Sequence, residues 1–251
     1  MGGVTLNRRL PLRLALAACA LGAAVPATAQ QTPPRPEPGP YARIVVLQPR
    51  PGQQAAFEAG YQRHLEWHRG ANDPWTWYGW SFVLGERIGL FMDGTFGHAA
   101  ADFDAAVQPA ADAADNAANV SPYADFLGHG VYERLDALGR GAPLPDTSAF
   151  LALTTYRVAP GRERAFAAAL AAHHARRQGD PAARYTWFRL RIGGQAPEYL
   201  LMRPVRTFAA AATLPDFFEA APEGGAAGIA GLVESVRSEL LRYRPTLSYR
   251  P

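Results

Sequence analysis

Two histidines occupy matching places in the two halves of the sequence. His64 comes seven residues after Phe57, and His173 comes seven residues after Phe166. In a helix this spacing puts each imidazole on or beside the apolar stripe that faces the rest of the protein. Imidazole titrates near neutral pH, so each histidine is a candidate general base or ligand-binding group. The other interpretation is a half-buried histidine that only hydrogen-bonds to a neighbouring strand.

A further histidine, His68, lies one helical turn after His64. Two imidazoles four residues apart in a helix can bind one metal ion. Glu66, however, points to another face of that helix, and the second half of the sequence has Arg177 in the position of His68. The sequence shows no third ligand, so no metal site is predicted.

Aromatic residues form a second candidate feature. At an offset of 107 residues Tyr78 matches Tyr185, and Trp80 matches Trp187. Alternation along a strand puts both residues of each pair on one face. An aromatic wall opposite the helix histidine would bind a flat aromatic or hydrophobic ligand, although core packing explains the same pattern without a ligand. Trp77 falls on the opposite face, and we expect it to point away from the helices.

These residues belong to an internal repeat of about fifty aligned positions. At an offset of 109 residues Pro51-Gly52 matches Pro160-Gly161, and at 107 residues Asp73-Pro74 matches Asp180-Pro181. Chance does not account for agreement in Pro-Gly, Asp-Pro, His and Trp together. We therefore predict a duplicated unit.

Each copy predicts the same order of elements. A β-rich run ends at Pro-Gly, an amphipathic helix follows, two strands form a hairpin, and an alanine-rich helix precedes a last strand. The predicted strands are 43–48, 75–84, 88–95 and 131–135, then 151–158, 185–192, 198–205 and 240–243; the predicted helices are 53–69, 99–118, 162–178 and 208–221. The order β-α-β-β-α-β is the ferredoxin-like unit.

Two fused units of this kind resemble the tandem form of the dimeric α/β-barrel superfamily. The predicted fold class is α+β, with ferredoxin-like repeats at 41–138 and 148–251, joined by a linker at 139–147, that form an intramolecular α/β barrel. The resemblance implies two four-stranded sheets closed into a barrel, with ligands in the cleft between a sheet and its own helices. Members include cofactor-independent monooxygenases of aromatic compounds and haem-binding, chlorite-degrading enzymes.

The expected function is binding of a small hydrophobic or aromatic molecule in a helix–sheet cleft. The ligand-binding candidates are His64, Tyr78, Trp80, His173, Tyr185 and Trp187. The alternative that the resemblance leaves open is a cofactor-independent monooxygenase-like or haem-dependent oxidoreductase. No cofactor is predicted, because the stretch 208–221 contains no histidine that could be the axial ligand of a haem.

The N-terminal segment predicts export. Residues 1–29 combine Arg8 and Arg9, an apolar run at 14–25 and an A-x-A sequence at 27–29, as in a secretory signal peptide. A Pro-rich linker at 30–40 follows. The expected location is therefore the periplasm or the medium. The alternative is a lipid anchor at Cys19, which lies in a sequence that resembles a lipoprotein cleavage box.

The net positive charge of the chain comes from this N-terminal segment. The sequence has 25 basic residues, all arginine, against 22 acids, and three of the arginines lie within residues 1–29, which leaves 22 against 22. A neutral remainder without a basic stripe argues against nucleic acid as a partner. The expected partner is a small molecule, and the expected state is a monomer with an internal pseudo-dimer.

Overall fold

The computed structural model of the chain describes residue 2 and residues 38–143, 145–177, 184–218 and 228–251. The predicted signal peptide at 1–29, Cys19 and most of the linker at 30–40 lie outside the described residues. Within the described ranges, none of the helices has the length and apolar character needed to span a bilayer.

The order of elements confirms the prediction of two β-α-β-β-α-β units. The first half contains β1 (Tyr41–Pro49), α1 (Gln54–Gly70), β2 (Tyr78–Leu84), β3 (Phe91–His98), α2 (Pro109–Asn119) and β4 (Ala124–Arg134). The second half contains β5 (Phe150–Val158), α3 (Glu163–Arg176), β6 (Thr186–Ile192), β7 (Glu198–Val205), α4 (Phe208–Ala212) and β8 (Val233–Tyr243).

The alanine-rich helices are shorter than predicted. In the first half a 3₁₀ turn at Ala100–Ala105 precedes α2, which begins only at Pro109. Proline fits the first turn of a helix and not its interior, and Gln108 has a left-handed φ of 41°, so the two stretches cannot form one helix. In the second half α4 has five residues, and Pro215 follows soon after it.

The eight strands form one closed antiparallel barrel in the order β1-β3-β2-β8-β5-β7-β6-β4. Each half contributes four neighbouring strands, and the halves join where β2 pairs with β8 and β4 pairs with β6. Closure leaves no free sheet edge. The predicted intramolecular barrel is confirmed.

Apolar cores lie inside the barrel and between each sheet and its helices. The barrel interior combines residues of both halves, and each half has a further core between its sheet and its helices. The buried side chains of the interior include Trp80, Phe82, Met92, Leu153, Phe188 and Leu241. The helix-side core of the first half includes Phe57, Tyr61, Trp77 and Phe91, and that of the second half includes Phe166, Trp187, Phe217 and Phe218.

The match between the second strands of the two halves is wrong by one residue. Trp80 lies opposite Tyr243, and Phe188 lies opposite Arg134. Because Tyr243 and Arg134 are equivalent at an offset of 109, the offset in this strand is 108 and not 107. A shift of one residue exchanges the two faces of a strand. Tyr78 and Trp80 therefore lie in the barrel interior, away from the helices.

Three other aromatic residues of this region lie on the helix side of their sheets. Tyr185 and Trp187 lie on the helix side of the second sheet. Trp77, which was expected to point away from the helices, lies on the helix side of the first sheet, with its ring centroid 5.2 Å from that of His68.

A C-terminal segment covers part of β2. The Gly79 N–H donates to Ser248 Oγ at 2.9 Å, the Arg244 N–H donates to the Gly79 carbonyl at 2.9 Å, and Leu247 is fully buried. A Cβ atom at position 79 would lie 2.1 Å from the Leu247 carbonyl oxygen. The absence of a side chain at Gly79 therefore permits this contact.

Substitution of this glycine tests the packing of the segment. We expect Gly79→Ala to lower the free energy of unfolding by about 1–3 kcal/mol, as overpacking does. Gly128→Ala in β4 is the matched control, because a Cβ there meets nothing within 4 Å, and it should change stability by less than about 0.5 kcal/mol. Urea unfolding measures both, and equal effects would contradict the described contact.

Candidate functional site

A cavity of about 280 Å³ lies between the sheet of the first half and the helices α1 and α2. We call it the site cavity. Its lining combines polar and aromatic side chains, and it includes Arg43, Tyr61, His64, His68, Trp77, Asp93, Asp112, Asn116, Phe126 and His129. The volume lies near the lower end of the range for small-molecule sites, about 300–1,000 Å³. The site cavity therefore suits a ligand of one or two fused rings or an ion with its waters.

Close packing of the two helices brings their polar residues together. A Cβ atom on Gly60 of α1 would lie 1.9 Å from the carbonyl oxygen of Asn119 in α2. Only glycine permits this approach. It places Asp112 and Asp115 of α2 beside the histidine face of α1.

His64 lies between two carboxylates. Its Nδ1 is 2.9 Å from Asp115 Oδ1, and its Nε2 is 3.4 Å from Asp112 Oδ1. Burial lowers the pKa of His64, more than the neighbouring acids raise it. The ring is therefore held mainly neutral, and because a carboxylate only accepts, the proton lies on Nδ1.

His68 is fixed in a similar way from the other side. Its Nδ1 is 2.7 Å from Asp73 Oδ2, which also accepts from Trp77 Nε1 at 2.9 Å. Burial opposes ionisation of Asp73, but the hydrogen bonds from His68, Trp77 and the Trp75 backbone N–H outweigh it and lower the pKa of this carboxyl. His68 Nε2 is directed at Asp112 Oδ1, 3.8 Å away.

Asp93 is a buried acid in β3 with one free oxygen. It is 7% exposed, and its Oδ2 accepts from the Tyr61 hydroxyl at 3.0 Å. Its Oδ1 is buried and has no hydrogen-bond partner among the described residues. Burial raises the pKa of Asp93 to about 6, although Tyr61 and Arg43 act in the opposite direction. A carboxyl of this kind in a cavity is a candidate general base.

The comparisons with known proteins give a fold and no closer relation. No protein-family profile and no curated protein matches the chain. Among solved structures, the chain is similar to an anthrone oxidase-like protein, with 11% identity, a TM-score of 0.51, and coverage of 81% of this chain and 91% of that one. It is similar also to a protein of Lactobacillus acidophilus provisionally assigned as a monooxygenase, with 13% identity, a TM-score of 0.50, and coverage of 82% and 94%.

A variant of chlorite dismutase from Candidatus Nitrospira defluvii aligns over 84% of this chain and 93% of its own, with a TM-score of 0.55 and 8% identity. The chain has the dimeric α/β-barrel fold. In this barrel one chain supplies both four-stranded sheets.

Among the described residues of its second half, the dimeric α/β barrel has no equivalent polar cluster. Asp93 lies opposite Val45 in the strand pairing, whereas the corresponding Thr154 of the second half lies opposite the apolar Leu201. The ring centroid of His173 lies 4.9 Å from that of Phe218, and the ring of Trp187 lies 5.0 Å from Phe217. Aromatic rings pack in this cleft where the first half carries acids.

The predicted candidates are therefore separated in the barrel. His64 lines the site cavity. Tyr78 and Trp80 belong to the barrel interior, whereas Tyr185 and Trp187 belong with His173 to the second helix–sheet cleft. A ligand-binding role for these six residues stays a prediction.

Haem, which the resemblance left open, does not fit His64, His68 or His173. A haem iron needs an imidazole Nε2 that faces open space. His64 and His68 both direct Nε2 at Asp112, and the ring of His173 lies against Phe217 and Phe218. We derive no haem chemistry from this site.

The sequence prediction missed the four acids around the histidines. Asp93 had a recognisable signal, because it is a charged residue within the apolar strand Leu90–Thr95 of the printed sequence. Asp112 and Asp115 lie in an alanine-rich helix, where acids are ordinary surface residues. Only the contact between α1 and α2 reveals them as partners of His64.

Asp93 makes stability depend on pH. The folded chain keeps a proton on Asp93 up to about pH 6, whereas an unfolded aspartate loses it near pH ~4. Between about pH 4 and pH 6 the folded state therefore binds more protons than the unfolded state. The free energy of unfolding falls as the pH rises through this range, by at most about 3 kcal/mol. Asp93→Asn keeps an acceptor for Tyr61 and carries no charge.

We expect Asp93→Asn to be more stable than the unchanged chain above about pH 6, by up to about 3 kcal/mol, and the difference to shrink toward pH ~4. Denaturant unfolding at several pH values measures it. The exposed Asp104→Asn is the control and should show no such trend. A difference that is independent of pH would contradict the burial of a titrating carboxyl at this position.

Proposed function

We propose that the chain is an oxidoreductase of the monooxygenase type that binds a small aromatic molecule in the site cavity and takes a proton from it with Asp93. The observation that carries this proposal is the free Oδ1 of Asp93, a buried carboxylate oxygen in a cavity with aromatic walls. Fold likeness to an anthrone oxidase-like protein supports the reaction class.

The cavity walls favour a flat ligand with a polar edge. Trp77 and Tyr61 supply ring surface, and Phe126, which is 46% exposed, lies at the rim. The guanidinium of Arg43 lies over the Trp77 ring at 4.9 Å and also lines the cavity. A cation in this place stabilises an enolate or phenolate oxygen that forms when the ligand loses its proton.

The proposed reaction begins with proton transfer. A CH₂ group activated by a neighbouring carbonyl or by aromatic rings gives its proton to Asp93 Oδ1, while the Tyr61 hydroxyl holds Oδ2. With a pKa of about 6, Asp93 is mostly ionised at neutral pH and is a stronger base than an ordinary aspartate.

Molecular oxygen is the second substrate of the proposed reaction. The carbanion transfers one electron to O₂, and the two radicals combine to a peroxide anion. This anion takes the proton back from Asp93 to give a hydroperoxide, and loss of water leaves a carbonyl. The balance is CH₂ + O₂ → C=O + H₂O, so the two electron pairs come from the two C–H bonds. The chain supplies binding, the base and the cation beside the developing negative charge.

Oxygen uptake tests this proposal. The full chain is incubated with phenols and with anthrone-like compounds that carry an activated CH₂, and oxygen consumption is recorded against pH. We expect turnover that rises through about pH 6, and a loss of at least ~100-fold in Asp93→Asn, the size of a general-base contribution. Ligand affinity, measured by quenching of tryptophan fluorescence, should change only a few-fold.

Asp104→Asn is again the matched control and should turn over normally. Turnover that survives in Asp93→Asn would reject the base. Binding without any oxygen uptake would instead support the other expectation from the sequence, a module that holds a small hydrophobic or aromatic molecule without changing it.

We also propose that residues 1–29 direct export, which places the reaction in the periplasm or the medium. Expression in a bacterial host with intact secretion should yield a mature chain that begins at Gln30, as N-terminal sequencing and intact mass would show. A mature chain that begins at Cys19 with the added mass of a lipid would support the anchor instead. A chain that keeps residues 1–29 in the cytoplasm would reject both.

A further inference from the structure

We propose that His64, His68 and Asp112 form a binding site for one divalent transition-metal ion at the wall of the site cavity. The two histidines lie on α1 and the aspartate on α2, and one ligand atom of each lies within 4.8 Å of the other two. The sequence predicted no metal site because the third ligand is 44 residues away from His68 and on another helix.

The distances match those of ligands that share an ion. Asp112 Oδ1 is 3.4 Å from His64 Nε2 and 3.8 Å from His68 Nε2. Two ligands at about 2.0–2.1 Å from a tetrahedral ion are about 3.3–3.4 Å apart. These separations are longer than ordinary hydrogen bonds of a carboxylate, and a small closing movement brings the longer one into the range of metal ligands.

The Nε2 lone pairs of both histidines face the carboxylate of Asp112. Asp115 accepts from Nδ1 of His64 and Asp73 accepts from Nδ1 of His68, at 2.9 and 2.7 Å. Because the Nδ1 atoms carry the protons, both Nε2 atoms present lone pairs toward Asp112. Three electron-pair donors that face one point repel one another unless a cation lies between them.

Each of the two histidines has a carboxylate hydrogen-bonded to its Nδ1 atom, as metal-binding histidines usually do. A carboxylate on the second nitrogen of each ring fixes its tautomer and orientation and raises its basicity. Both carboxylates accept a further hydrogen bond from another side chain. Asp115 Oδ2 accepts from Asn119 at 3.0 Å, and Asp73 accepts from Trp77.

A separate observation places a further acid at the same cavity. Asp93 lines this cavity and is only 7% exposed. Its Oδ1 atom has no hydrogen-bond partner among the described residues. A second carboxylate near the three ligands raises the attraction for a cation over that for a neutral or anionic ligand.

The donor set defines the class of ion. Two imidazoles and one carboxylate suit Zn²⁺ in catalytic sites and Fe²⁺ in oxygenases, and both keep open positions for water or substrate. The ligands are too few and too nitrogen-rich for Ca²⁺ or Mg²⁺. His64, His68 and Asp112 all line the site cavity, so a ligand bound there would lie beside the ion.

Metal binding is tested directly, without substrate, so that its failure is distinct from failure of the proposed oxidation. The full chain is stripped with a chelator and titrated separately with Zn²⁺, Co²⁺ and, without oxygen, Fe²⁺. We expect one ion per chain by elemental analysis, and a visible ligand-field spectrum with Co²⁺ that reports nitrogen and oxygen ligands. Ca²⁺ and Mg²⁺ should not compete.

Three sets of variants locate the site. Asp112→Asn is the principal one, because the Asp112 side chain is 28% exposed and the substitution is isosteric; it should weaken binding at least ~100-fold, as should His68→Ala. Asp115→Asn should weaken it by about 10–100-fold, the range for groups that support a metal-binding histidine. His174→Ala on α3 is the matched control and should stay within twofold.

Two outcomes would overturn the proposal. One is less than about 0.1 ion per chain in the presence of excess Zn²⁺ or Co²⁺. The other is an affinity of Asp112→Asn within twofold of the unchanged chain, with near-ultraviolet circular dichroism confirming that both are folded. The second result would mean that the ion binds elsewhere.

Discussion

The structure depends on one constraint, which is that each four-stranded sheet has two apolar faces and its own helices cover only one of them. The other face of each sheet is covered by the sheet of the other half, and the closed barrel with its mixed interior core is the result. Strand pairing between β2 and β8 and between β4 and β6 fixes the halves against each other. Each helix–sheet cleft, which lies outside this shared interior, can carry residues of its own.

The two clefts contain different kinds of residue. In the first, acids from α2, β3 and the loop after α1 surround two histidines, and the close approach of α1 and α2 at Gly60 holds them together. In the second, the phenylalanines after α4 pack on His173 and Trp187. Packing of rings stabilises the second half, whereas the buried acids of the first cost desolvation energy, which their hydrogen bonds offset.

The sequence was sufficient for the fold because element order and duplication are local patterns. It was insufficient for the face of Tyr78 and Trp80, since aromatic residues that alternate in a strand match equally well after a shift of one residue, and the loop before β2 absorbs the difference. His64 could be recognised from helical spacing. Asp112 could not, because its relation to His64 exists only through helix packing.

The C-terminal segment also reaches the first cleft. The Tyr249 hydroxyl donates to the Asp73 carbonyl at 2.9 Å, across 176 positions of sequence, and its ring lies 6.1 Å from that of His68. The loop that orients His68 is thus completed by a residue near the end of the second half, which leaves the ribosome long after the first half has been made. The first half cannot acquire its finished cleft during its own synthesis, which ties the maturation of the cleft to closure of the whole barrel and makes the two copies inseparable parts of one working unit.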